Sequence, residues 1–142
     1  MYLKNCWYVA GWSKDYNRSL TPEKILNEEI VIYRCLDGRP AALENACPHR
    51  KLPLSEGKLE GDQIVCGYHG LTFDNMGSCV FAPTQPNQTL KRAVVKSYPV
   101  IDRYRLLWIW MGNPELADPD LIFPIDNFDN SSWGYTDGGV LD

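Results

Sequence analysis

A chain of 142 residues, 44% of them apolar, is long enough for one folded domain whose hydrophobic core needs no disulfide staples. Its formal charge of −4, from 14 basic and 18 acidic residues without a concentrated basic block, excludes a typical nucleic-acid surface. No apolar run approaches the ~18 residues of a membrane span and the first residues lack a signal-peptide stretch, so the expected setting is soluble and cytoplasmic.

Short apolar pieces separated by glycine, proline and Asp-Gly turns predict a small antiparallel, all-β domain in which loops on a sheet scaffold present the chemistry. In chain order, Thr21-Pro22-Glu23 reads as an N-cap, a proline at the first helical position and an early acid, predicting a turn or two of helix through Ile25-Leu26. Glu29 to Leu36 is β-branched and aromatic, Asp37-Gly38 turns it, and Pro40 to Ala46 returns, which is the strongest hairpin signal in the chain. Gln63 to Cys66 follows as a strand, then Leu71 to Asp74 and Cys79 to Ala82 joined by Asn75-Met76-Gly77. The last pair is Ala93 to Ile101 with Leu106 to Met111. In that final strand Trp108 and Trp110 alternate with Leu107 and Ile109, so one face is expected to pack and the other to meet a further domain or subunit.

The decisive feature is Cys47-Pro48-His49, a spacer of sixteen residues, then Cys66-Gly67-Tyr68-His69. The chain has two histidines, and each falls two or three positions after a cysteine. One such pair would read as a buried thiol beside a surface histidine. Two pairs, each in a proline- or glycine-containing loop after a β-like run, read as a clamp. Pro48 stiffens one loop, and Gly67 and Gly70 let the other backbone pass close to a bulky ligand. Two thiolates and two imidazoles can hold zinc in a tetrahedron, although a zinc finger more usually groups its cysteines and its histidines separately. They also suit an iron–sulfur cluster in which one iron takes the thiolates and the other the imidazoles. Of the five cysteines, Cys6, Cys35 and Cys79 read as packed thiols, because an odd count in a chain without an export signal is poor disulfide material.

The stretches Cys47 to Leu54 and Cys66 to Phe73, with Gly77-Ser78-Cys79 leading to Pro83-Thr84-Gln85, resemble the Rieske domain of the Rieske non-haem iron oxygenases, in particular the vanillate O-demethylase and phthalate-dioxygenase-like group. Asn5 to Ala10, Ser97-Tyr98-Pro99-Val100, and Leu107 to Gly112 with Pro114 and Ala117-Asp118 extend the resemblance over essentially the whole chain. It implies a [2Fe-2S] cluster on Cys47, His49, Cys66 and His69, with Arg50, Tyr68 and Gly70 as the neighbours that shape its edge. One departure is Lys51, where the family frequently has glycine; it adds charge beside the cluster. Rieske proteins of respiratory bc complexes carry two further cysteines that bridge the cluster loops, and the corresponding positions here are Leu52 and Tyr68. They also tend to have serine where this chain has Leu71. Fewer hydrogen bonds to sulfur predict a potential toward the low end of the roughly −150 to +300 mV spanned by Rieske centres.

By the same resemblance, His69 faces a carboxylate on a neighbouring subunit and forms the electron's exit. Oxygen activation needs a mononuclear iron, usually on two histidines and a carboxylate, and both histidines here are already committed. Residues 1–117 are thus expected to form the Rieske domain, and 118–142 a connector into a C-terminal catalytic domain that holds the Fe(II). The parent would be a homotrimeric monooxygenase or dioxygenase that takes electrons from a flavin and ferredoxin-type reductase and hydroxylates or demethylates an aromatic substrate. This chain by itself would not turn over. A standalone Rieske ferredoxin is the alternative, with a zinc-binding module behind it.

Overall fold

The computed structural model describes residues 1–84, 93–134 and 136, which form eleven short strands in three sheets, every pairing antiparallel. The predicted all-β class holds. Strands β1 (Cys6–Trp12), β10 (Val100–Arg103) and β11 (Leu106–Met111) make one sheet with β11 in the middle. Strands β2 (Thr21–Ile25), β3 (Glu28–Arg34), β4 (Pro40–Glu44) and β9 (Ser97–Tyr98) make the second. The third, in the order β5 (Lys58–Glu60), β6 (Gln63–Val65), β7 (Thr72–Phe73) and β8 (Cys79–Phe81), carries the motif loops.

Strand β3 explains why the apolar run Ile30-Val31-Ile32-Tyr33 does not alternate with polar residues. A strand buried on both faces has no solvent side to mark. Val31 and Tyr33 point into a core shared with Leu43, Leu54, Ile64 and Phe73, whereas Ile30 and Ile32 point into a second core with Tyr98, Leu107, Ile109 and Met111. The middle sheet is therefore packed between the other two, and all four of its central side chains are fully buried. Cys35 and Cys79 lie in the first core as packed thiols, as expected; Cys6 is only half-buried, with its thiol toward the Leu3 carbonyl at 3.8 Å.

Three further sequence-based expectations are corrected. Thr21 to Ile25 is the edge strand β2, not a helix start; Leu26 and Asn27, at φ of 49° and 67°, supply the left-handed pair that a two-residue hairpin turn demands. Pro22 is tolerated because an edge strand least needs its missing N–H, and pairing with β3 overrides the local capping pattern. Ala93 to Ile101 is not one strand. Val94 makes an isolated bridge to Ser78, β9 pairs with β4, and after Pro99 the chain leaves that sheet to pair as β10 with β11. Finally, the tryptophan face of β11 is covered from within the chain. Trp7 meets Trp110 edge-on at 5.4 Å, Phe123 meets Trp108 at 6.4 Å, and the indole N–H groups donate to the carbonyls of Arg103 and Asn113.

Arg34 ties the first two sheets together. Its guanidinium donates to Asp102 through both nitrogens of the fork at 2.6 and 3.1 Å, to the Ser13 carbonyl and hydroxyl, and to the carbonyls of Tyr16 and Gly38. Partial burial pushes the Asp102 carboxyl up, but the Arg34 and Ser13 donors outweigh it and hold it below its ordinary value. Removing the guanidinium leaves those acceptors short of donors in a half-closed site. Arg34→Met is expected to cost about 2–3 kcal/mol in urea unfolding, with Arg34→Lys recovering only part because an ammonium cannot reproduce the fork.

Candidate metal centre

The first motif loop crosses from the second sheet to the third, and the other lies within the third. The first runs from the end of β4 to β5, and the second joins β6 to β7. At the base of the first, Asn45, one of two buried polar residues among those described, donates from Nδ2 to Ser55 Oγ at 3.0 Å and accepts from the Ser55 N–H at 2.8 Å. Pairing of β5 with β6, Lys58 against Val65, holds the far end of that loop beside the start of the second.

Within each loop the same backbone turn recurs. The Cys47 N–H donates to the Leu52 carbonyl at 2.8 Å and the Lys51 N–H to the Cys47 carbonyl at 2.8 Å. In the second loop the Cys66 N–H donates to Leu71 at 2.8 Å and the Gly70 N–H to Cys66 at 3.1 Å. Each cysteine thus anchors a closed five-residue turn, and the residue that closes it is left-handed: Lys51 at φ 58° and Gly70 at φ 70°. Gly70 is required there on two counts, since a Cβ would also stand 3.1 Å from Pro83 Cγ. The Lys51 departure noted in the sequence falls at the matching position of the first turn, which gives the family's glycine a physical reason.

This geometry sorts the four predicted residues into an inner and an outer pair. Cys47 and Cys66 are 2% and 3% exposed and lie against one another among Leu54, Ile64 and Phe73, whereas His49 and His69 are exposed. The two imidazole rings face edge-on with centroids 5.2 Å apart. All four line one small cavity, with Arg50, Leu52, Tyr68 and Leu71 completing its walls. Burial pushes the Cys47 thiol up and Cys66 adds to that, while the backbone N–H groups of His49 and Arg50 pull the other way by pointing at the sulfur. Those N–H groups would be satisfied by a thiolate.

Among the described residues no three His, Cys, Asp or Glu side chains converge on a point that could hold a single ion. Paired thiols inside and paired imidazoles outside suit a two-iron cluster, which separates its two kinds of donor, better than they suit a zinc tetrahedron, which gathers all four on one centre. The donor set, the apolar floor and the N–H groups aimed at sulfur fit such a cluster.

At the outer edge, Arg50 donates from Nη1 to the Tyr68 hydroxyl at 3.0 Å, and its guanidinium carbon lies 5.1 Å from the centre of the Tyr68 ring. Of the expected neighbours, Arg50 and Tyr68 line the cavity, whereas Gly70 does not line it and closes the second turn. Sequence reading missed the Asn45–Ser55 pair and the repeated turn. The repeat had a visible signal, since the cysteine and the closing residue are four positions apart in both motifs.

Comparison with known proteins agrees with the geometry. Residues 6–99 match the family model described as the Rieske [2Fe-2S] domain, and the chain belongs to that family. It is 45% identical over 141 residues to the iron–sulfur subunit of a toluene-4-sulfonate monooxygenase system of Comamonas testosteroni, and 42% identical over 138 residues to the oxygenase subunit of a vanillate O-demethylase of a Pseudomonas species. These alignments cover 99% and 97% of this chain but 40% and 38% of those proteins. The crystal structure of dicamba monooxygenase bound to dicamba superposes with a TM-score of 0.85 at 39% identity, covering 92% of this chain and 39% of that one. The chain therefore spans about two fifths of the length of the relatives it matches.

The left-handed Lys51 yields a stability prediction. A side chain in this conformation costs roughly 1–2 kcal/mol, part of which glycine gives back in unfolded-chain entropy. Lys51→Gly is expected to raise stability by about 0.5–1 kcal/mol in thermal or urea unfolding, and Gly70→Ala to lower it by at least as much.

Proposed function

We propose that Cys47 and Cys66 bind one iron of a [2Fe-2S] cluster through their sulfurs, that His49 and His69 bind the other through ring nitrogens, and that the domain relays single electrons through this site. The observation that carries the reading is the inner thiol pair and outer imidazole pair held by twin turns. When bound, the cluster would supply a one-electron carrier whose potential responds to its hydrogen bonds and exposure. The protein's part is to keep the sulfurs dry and the imidazoles at the surface. Exposed His69 is the favoured exit, since an outward ring N–H can donate to a partner's carboxylate.

Side-chain hydroxyls give the sulfurs little help. Leu71 has none, Thr72 turns its hydroxyl to the Gly70 carbonyl at 3.2 Å, and Tyr33 turns its own to Asp62. This supports the low-potential reading.

The relatives are named as oxygenase or monooxygenase components. We assign the chain the same place: residues 1–117 as the Rieske domain and 118–142 as a connector toward a catalytic domain with a mononuclear Fe(II). That domain would hydroxylate or O-demethylate an aromatic substrate, with a flavin and ferredoxin-type reductase as electron source, in a cytoplasmic homotrimer. The single 3₁₀ turn at Pro119–Leu121, and the exposed Leu121, Phe123 and Trp133, support reading the last segment as connector. The sequence Gly139-Val140-Leu141-Asp142 would suit the opening of a strand, but it lies outside the described residues, as does Gln85. Among the described residues no helix is long and apolar enough to cross a membrane.

Anaerobic reconstitution tests the relay. The chain should take up about two irons and two sulfides, give a reduced-state paramagnetic resonance signal and show a midpoint potential below about +150 mV. Cys66→Ser should abolish uptake and Cys79→Ser leave it intact. Zinc uptake without a redox signal would defeat the reading.

A further inference from the structure

We propose that Arg50 and Tyr68 form a clasp that shuts the two ligand loops over the cluster site at its solvent end and so governs how slowly a bound cluster is lost. The proposal rests on the ligand assignment above and adds a function that those four residues do not supply.

Each loop closes on itself through its own backbone, and among the described residues no backbone hydrogen bond outside the strands joins one loop to the other. Their bases are held together by the β5–β6 pairing and by the core beneath the cysteines. Their tips approach through three side-chain pairs: Cys47 with Cys66, His49 with His69, and Arg50 with Tyr68. In the ligand reading the first two pairs are committed to metal. The third remains as a protein–protein link, and it crosses between loops eighteen residues apart in the sequence.

The link has two components. Arg50 Nη1 donates to the Tyr68 hydroxyl at 3.0 Å, and the guanidinium sits over the same ring at 5.1 Å. Tyr68 in turn packs its ring against that of His69, centroid to centroid at 3.9 Å, so moving the tyrosine moves the outer imidazole's neighbour. Tyr68 is half exposed, which keeps the contribution to folding small. A tip contact of this kind matters instead for opening. Water and chelators reach the inner sulfurs only when the tips part, and each opening must break both components at once.

The experiment uses the cluster-loaded 142-residue chain and three variants, Arg50→Gln, Tyr68→Phe and the double variant, with EDTA in excess as the probe. Loss of the cluster's visible absorbance gives the rate. Tyr68→Phe removes the acceptor oxygen while keeping the ring against His69, and Arg50→Gln removes the charge and the fork. Each single variant is expected to lose cluster about three- to tenfold faster than wild type, and the double no faster than the quicker single, because both break the same link. Thermal melts of the unloaded chains should coincide, which separates the clasp from a general role in folding. Rates within twofold of wild type, or single effects that multiply in the double variant, would overturn the clasp while leaving the ligands standing. A wild-type chain that takes up no cluster would overturn the ligand assignment and the clasp with it.

Discussion

Two five-residue turns, each closed by backbone hydrogen bonds from and to a cysteine, set the terms for the rest of this domain. A closed turn of this kind carries its cysteine on the inner side and the residues after it outward. The thiols therefore enter the core while the imidazoles face solvent. Closing the turn needs a left-handed residue at its end, which places Gly70 in one and obliges Lys51 to adopt an unfavourable conformation in the other. The buried Asn45–Ser55 pair and the β5–β6 ladder fix the ends from which the turns spring.

The remaining architecture follows from holding that support rigid. The middle sheet is buried on both faces, so its strand β3 links the core under the cysteines to the core under β11. Arg34, with Asp102 and the Ser13 turn, fastens that sheet to its neighbour at the opposite end from the loops. The cysteines themselves count among the buried residues of the first core, so the site is part of the hydrophobic packing and not an appendage to it.

How much of this could be read from the sequence depends on the range of the cause. The four candidate ligands and the β3–β4 hairpin were legible because two motif repeats and an Asp-Gly turn are local patterns. Thr21-Pro22-Glu23 misled because its capping chemistry is also local, while the pairing with β3 that makes it a strand is not. Pro99 carried a readable signal for a break, yet the change of sheet on either side of it depends on which partners stand ready in space. The tryptophan face of β11 was half legible. Alternation gave the face, but its cover by Trp7, from the far end of the chain, and by Phe123, from beyond the strand's end, is set by packing in space. The resemblance put Arg50 and Tyr68 at the same edge, but their contact with each other had no local signature, since nothing within either loop fixes which residues of the other it will touch.

The central claim is that two sulfurs and two nitrogens from these loops divide between two irons. Mössbauer spectroscopy of the chain reconstituted with iron-57 addresses it directly. The account predicts two inequivalent sites in equal amounts, with the added electron residing on the iron that has nitrogen ligands. Two equivalent sulfur-ligated irons, or a single mononuclear site, would contradict it.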